Sequence, residues 1–153
     1  MIRDVWRALP ITQEGVVRRA PKTALEVVWH HTAGNVRATP QDVAAAHLAR
    51  GWPHIGYHYL IAGDGTVFKT LPISYRPICV RRQNTKLLCV AFIGNYHLLE
   101  LAPAQIEAAR TLLGLLRRYH RITRLAGHRD YVPTLCPGYN AYRELQRVGL
   151  IES

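Results

Sequence analysis

Apolar positions along the chain follow two periods, and the switches between them outline the elements. Glu26-Val27-Val28-Trp29 reads as a short buried strand that runs directly into His30-His31-Thr32-Ala33-Gly34. Tyr57 to Ala62 is rich in β-formers. Gly63-Asp64-Gly65-Thr66 then signals a turn, and Val67 to Leu71 forms the return strand of an antiparallel hairpin. Leu87 to Gly94 is a nearly unbroken apolar run, as expected of a central strand covered on both faces. Thr39-Pro40 supplies an N-cap and a first-turn proline for a helix over Gln41 to Arg50, stopped by Gly51. Pro103 to Tyr119 repeats at the helical period, with Ile106, Ala109, Leu113 and Leu116 on one stripe and Arg117 and Arg118 in the last turn. Leu125 to Pro137 reads as strand or loop, and Ala141 to Arg147 as a last short helix. The expected fold is α/β: a single domain with a central mixed β-sheet and helices packed on its faces. Residues 1–24 are expected to be an irregular basic leader packed on or extending from the domain formed by 25–153.

Composition narrows the class. A chain of 153 residues, 48% apolar and 20% charged, has the length and make-up of one globular domain. Composition excludes collagen-like, disulfide-rich and low-complexity classes, and no run approaches the 18 apolar residues of a membrane-spanning helix. The start, MIRDVWRALP, lacks the pattern of a secretory signal, which predicts synthesis in a cytoplasm. Twenty Lys plus Arg stand against ten Asp plus Glu, a net charge of +10 carried mainly by Arg. Such a balance suits an anionic partner, or reflects genome composition and solubility alone. No helix-turn-helix, finger or aromatic-interleaved basic motif supports specific nucleic-acid binding.

The candidate chemistry lies with histidine and cysteine. His30 and His31 close a strand, and His128 precedes Cys136 by eight residues with Pro133 between them. Such a loop can turn both side chains to one point. Two imidazoles and one thiolate suit zinc and leave a fourth position open, the mark of a catalytic rather than a structural ion. A histidine on a strand is also a common core residue, so spacing alone leaves both readings open.

Four motifs in order sharpen the picture: Val28-Trp29-His30-His31-Thr32-Ala33-Gly34; Gly56-Tyr57-His58-Tyr59-Leu60-Ile61 with Gly63-Asp64-Gly65-Thr66-Val67; Ala91-Phe92-Ile93-Gly94-Asn95; and Gly127-His128-Arg129-Asp130 through Cys136-Pro137-Gly138. Together they resemble the zinc-dependent N-acetylmuramoyl-L-alanine amidases, a superfamily that includes phage lysozymes of amidase type and peptidoglycan recognition proteins. The resemblance implies one Zn2+ held by His30, His128 and Cys136. It implies a tyrosine, Tyr57, whose hydroxyl approaches the reacting groups, and Thr134 as an oxyanion donor. It implies an enzyme that cuts the amide between N-acetylmuramic acid and L-alanine of peptidoglycan; a monomer is expected, although the sequence does not determine the oligomeric state. The expected setting is a phage endolysin made in the host cytoplasm and acting at the wall after release, its basic surface meeting anionic wall polymer or outer-membrane lipid. The alternative is a peptidoglycan-binding receptor without turnover; receptor members commonly lack one of the ligands, whereas all three are present here.

The remaining residues carry broader expectations. His31 either lines the groove or hydrogen-bonds backbone behind it. Trp52 and Asn95 are candidates for glycan or peptide contact, with Trp52 equally suited to anchoring the core. His58 alternates with Tyr57 and should face the opposite side, in a structural role. Arg129 and Asp130 are expected to brace the loop. His47, His54, His97 and His120 are expected to be structural or solvent-facing. Cys79 and Cys89 are expected not to be ligands; Cys89 should pack in the central strand, and a reducing compartment disfavours their pairing. Residues 72–83 are Arg-rich and depart from the family pattern, so the resemblance implies no stem-peptide preference.

Overall fold

The computed structural model describes residues 2–152; Met1 and Ser153, the outermost positions of the two expected segments, lie outside the described residues. Six strands form one sheet: β1 (Ile2–Asp4), β2 (Glu26–His31), β3 (Tyr59–Ile61), β4 (Val67–Lys69), β5 (Leu87–Phe92) and β6 (Arg124–Gly127). Their order is β1-β4-β3-β5-β2-β6. Among these strands of the described residues, only β3 and β4, joined by the predicted turn, pair antiparallel; the other neighbours are parallel. Three helices complete the fold: α1 (Pro40–Ala49), α2 (Pro103–Tyr119) and α3 (Tyr139–Arg147). None of the described helices is long and apolar enough to cross a membrane.

Alternation along the central strands divides the core in two. Val27 and Trp29 of β2 and Leu88, Val90 and Phe92 of β5 face α2 and α3, meeting Ala109, Leu112, Leu113, Leu116, Ala141 and Leu145. Ala91 of β5 and Leu60 of β3 face the other way, toward Val43 and Ala44 of α1. Val28 and Cys89 lie on that same side, against Val80 and Tyr131. All six residues of β5 are buried, as its apolar run predicts. Helix α1 starts where the sequence indicates: Thr39 Oγ1 accepts the Asp42 amide at 3.2 Å and Asp42 Oδ2 accepts the Thr39 amide at 2.9 Å.

The leader is less irregular than expected. Residues 2–4 add a parallel edge strand beside β4. Arg19 then turns its guanidinium inward, donating to the carbonyls of Ile73 at 2.9 Å and Thr85 at 2.7 Å. Desolvation lowers its pKa to about 10. A charged side chain that reaches into the domain to satisfy carbonyls leaves no apolar periodicity to read, which is why this segment looked featureless.

Candidate metal centre

The site forms at the carboxyl end of β2. His30 sits next to the last position of that strand, on the face toward α1, and is 1% exposed. His128 opens a 3-10 turn directly after β6, the parallel neighbour of β2. The loop that follows returns Cys136 to the same place. Three contacts fix this return. The Arg129 amide donates to the Cys136 carbonyl at 3.1 Å. Asp130 Oδ2 accepts the Gly127 amide at 2.8 Å, and its Oδ1 accepts the Tyr142 hydroxyl at 2.6 Å. Gly138 holds φ +92° with its α-carbon against the Tyr96–His97 backbone, where any Cβ would collide.

The ligand atoms of His30, His128 and Cys136 lie within 4.8 Å of one another. His30 Nδ1 stands 3.5 Å from Cys136 Sγ. That is the separation, about 3.5 Å, that a nitrogen and a sulfur subtend when both ligate one tetrahedral zinc. The His30 and His128 rings are 4.8 Å apart between centroids. Burial lowers the pKa of His30 well below its usual value, with smaller effects from His128, His31 and His47, so the ring is neutral. Burial also lowers the pKa of His128. Cys136 is pushed up to about 12 by burial, against the opposing effect of the His31 amide that donates to its sulfur at 3.4 Å. Two neutral imidazoles and a desolvated sulfur form a donor set that a zinc ion fits, since binding the ion would offset the cost of ionising the thiol.

Tyr57 lies beside this trio, its ring 5.2 Å from that of His30 and 5.2 Å from that of His47. Desolvation and the neighbouring Cys136 raise its pKa far above the usual phenol range, so it stays protonated and its hydroxyl can donate a hydrogen bond. Thr134 is exposed on the cysteine loop, where its Oγ1 accepts the Cys136 amide at 3.3 Å. A groove of about 480 Å³ runs from His128 past Trp52, Cys79, Val80, Arg81 and Arg82. Trp52 therefore has a groove face as well as a packing face, the latter 4.6 Å from the His47 ring.

Two expected substrate contacts lie elsewhere. His31 follows His30 on a strand and so turns to the opposite side, where its Nδ1 accepts the Tyr96 amide at 3.0 Å. Of its two readings, the one behind the site holds. Asn95 uses Oδ1 to accept the His97 amide at 3.0 Å, which shapes its own turn, and it does not line the groove. His58 is fully buried as expected, with Nδ1 accepting the Cys89 amide at 3.1 Å and Nε2 at 3.0 Å from the Tyr75 carbonyl. His54 and His47 are structural, and His47 accepts the Gly56 amide at 2.8 Å.

Cys79 and Cys89 form a disulfide, contrary to the sequence-based expectation. The reason is local. Asn84 Oδ1 accepts the amides of Cys79 and Val80, each at 2.9 Å, and folds their loop over β5. Sequence reasoning also missed the neighbourhood of this pair: both sulfurs lie within 4.8 Å of a His30 ring nitrogen. The register, with Cys89 opposite Val28 and Ala91 opposite His30, places Cys89 and His30 on one face.

Known proteins resemble this chain in sequence and in fold. The family described as N-acetylmuramoyl-L-alanine amidase matches residues 21–139. Peptidoglycan-recognition protein SC2 of Drosophila melanogaster is 36% identical over 130 residues, which cover 78% of this chain and 71% of that protein. The crystal structure of Drosophila peptidoglycan recognition protein SD superposes with a TM-score of 0.89 at 25% identity, covering 100% of this chain and 97% of that one. An endolysin of a Thermus scotoductus bacteriophage superposes with a TM-score of 0.81 at 33% identity, covering 97% and 99% of the two chains. With the match spanning strands β2 to β6, the histidine strand and the cysteine loop among them, the chain belongs to the N-acetylmuramoyl-L-alanine amidase family.

Proposed function

We propose that the chain is a zinc-dependent amidase that hydrolyses the bond between N-acetylmuramic acid and L-alanine of peptidoglycan, and that it serves a bacteriophage as an endolysin. The observation that carries this reading is the convergence of His30, His128 and Cys136, with their ligand atoms within 4.8 Å of one another beside an open groove. A zinc ion held there would polarise the scissile carbonyl and activate water as the nucleophile. Tyr57, kept protonated by its surroundings, donates a hydrogen bond to the developing oxyanion. Thr134 offers a second hydroxyl from the rim of the cysteine loop. Trp52 provides an apolar wall for the glycan or peptide, and Arg81 and Arg82 give the groove a cationic side. Similarity to a phage endolysin over nearly the whole of both chains supports the endolysin role. In that setting the protein is made in the host cytoplasm and acts at the wall, with its +10 charge drawing it to anionic wall polymer or outer-membrane lipid.

Purified sacculi incubated with the protein, with and without a chelator, test the reading. Soluble stem peptides with a free alanine amino terminus, lost on chelation and restored by zinc, are expected by mass spectrometry. Sacculi that retain the protein and release nothing would overturn the enzyme and leave a receptor like the recognition proteins it resembles.

A further inference from the structure

The disulfide sits against the histidine that anchors the metal centre. One ring nitrogen of His30 and the sulfurs of Cys79 and Cys89 lie within 4.8 Å of one another, the same span that separates the ligand atoms of His30, His128 and Cys136. Cys89 is fully buried in β5, and Cys79 lines the groove, where a solute can reach it. His30 Nε2 is buried and has no hydrogen-bond partner among the described residues. His30 thus has Nδ1 facing Cys136 and Nε2 without a hydrogen-bond partner among the described residues, and one of its ring nitrogens lies within reach of the paired sulfurs.

We propose that Cys79, Cys89 and His30 form a second metal-ligand set, opened by reduction of the disulfide, that takes Zn2+ in competition with His30, His128 and Cys136. The opening step is thiol–disulfide exchange with a dithiol reductant entering by the groove. The Cys79–Cys89 bond breaks, the reductant leaves as its own disulfide, and two electrons and two protons pass to the chain as two thiols. Binding of the divalent ion then releases both protons as the sulfurs coordinate. Two thiolates neutralise the ion's charge, whereas Cys136 alone leaves one positive charge, so the reduced set is the softer and more strongly held one for zinc. Because both sets need His30, the oxidation state of the disulfide decides which of them holds the ion. This inference depends on the amidase reading only through His30.

Co2+ titrated into the metal-free full chain tests it, since each thiolate ligand adds near-ultraviolet charge-transfer absorbance. In Cys136→Ser the oxidised chain should show no such band. After treatment with a phosphine reductant the same variant should bind one Co2+ with the intensity of two thiolates. Adding Cys79→Ser should halve that intensity, and adding His30→Ala should weaken Co2+ binding at least tenfold. In the unsubstituted chain, reduction should raise the number of coordinating thiolates above one. A reduced Cys136→Ser chain without the band, or a reduced unsubstituted chain that stays at one thiolate, overturns the proposal. Stem-peptide release by the oxidised chain is read separately: an inactive oxidised chain whose reduced form gives the two-thiolate band overturns the amidase and keeps this site.

Discussion

The amide of Arg129 donates to the carbonyl of Cys136 at 3.1 Å, tying the residue after one candidate ligand to the other candidate ligand itself. A loop of this length would otherwise sample many positions for its cysteine. The clamp, together with Asp130, converts it into a fixed arm.

Removing a ligand should therefore empty the site without unfolding the domain. With the Cys79–Cys89 disulfide kept oxidised, Cys136→Ser and His128→Ala are expected to retain less than about a tenth of the zinc and to lose on the order of 100-fold or more in activity. Metal analysis of the purified variants, alongside stem-peptide release, checks both. Either variant keeping a full equivalent of zinc and its turnover would take that residue out of the centre.

Tyr57→Phe separates chemistry from metal binding. The ring still packs between His30 and His47. Zinc content should hold while kcat drops by about 10- to 100-fold through loss of one oxyanion donor. A rate equal to that of the unsubstituted chain would remove the hydroxyl from the mechanism.

Asp130→Ala tests positioning. It strands the Gly127 amide and removes the carboxylate that accepts the Tyr142 hydroxyl. A loss of about 1–3 kcal/mol in denaturant unfolding is expected, with zinc affinity reduced roughly tenfold or more. Stability and affinity both unchanged would show that the loop holds its shape by other contacts.

Acid should weaken the fold through its buried imidazoles. Burial lowers the His58 pKa to about 3 and the His47 pKa to about 4, Arg19 adding to the first and Arg50 to the second. Above the unfolded value of about 6.5 neither ring is charged in either state, so stability is flat. As pH falls below that, the unfolded chain takes up protons that the native chain refuses, and each ring removes about 1.4 kcal/mol per pH unit. The loss ends near the two native values. Denaturant unfolding at a series of pH values reads the slope. His58→Gln should lower stability at neutral pH yet make the acid slope shallower; an unaltered slope would assign the acid sensitivity to other groups.

The sheet and its helices were legible because their signals are local. The caps at Thr39 and Gly51, the Asp64-Gly65 turn and the apolar run from Leu87 each announce an element within a few residues. The trio of His30, His128 and Cys136 was legible through ordered motifs, not from spacing. What escaped rests on single polar side chains that leave no periodic pattern. Asn84 brings Cys79 over Cys89, and Arg19 finds carbonyls more than fifty residues away. His31 is different: strand alternation alone separates it from His30, and the same logic that assigned His58 would have assigned it.

That alternation has an experimental signature. In a saturation mutational scan of Val27 to His31, two readouts should come apart by position. Substitutions at Val27 and Trp29, which face α2 and α3, and at His31, which accepts the Tyr96 amide, should deplete the amount of folded protein. Substitutions at His30 should spare abundance and abolish lysis. Adjacent letters of one short segment thus answer to different selection pressures, and an expression screen alone would miss the one position in this segment that reaches the candidate metal centre.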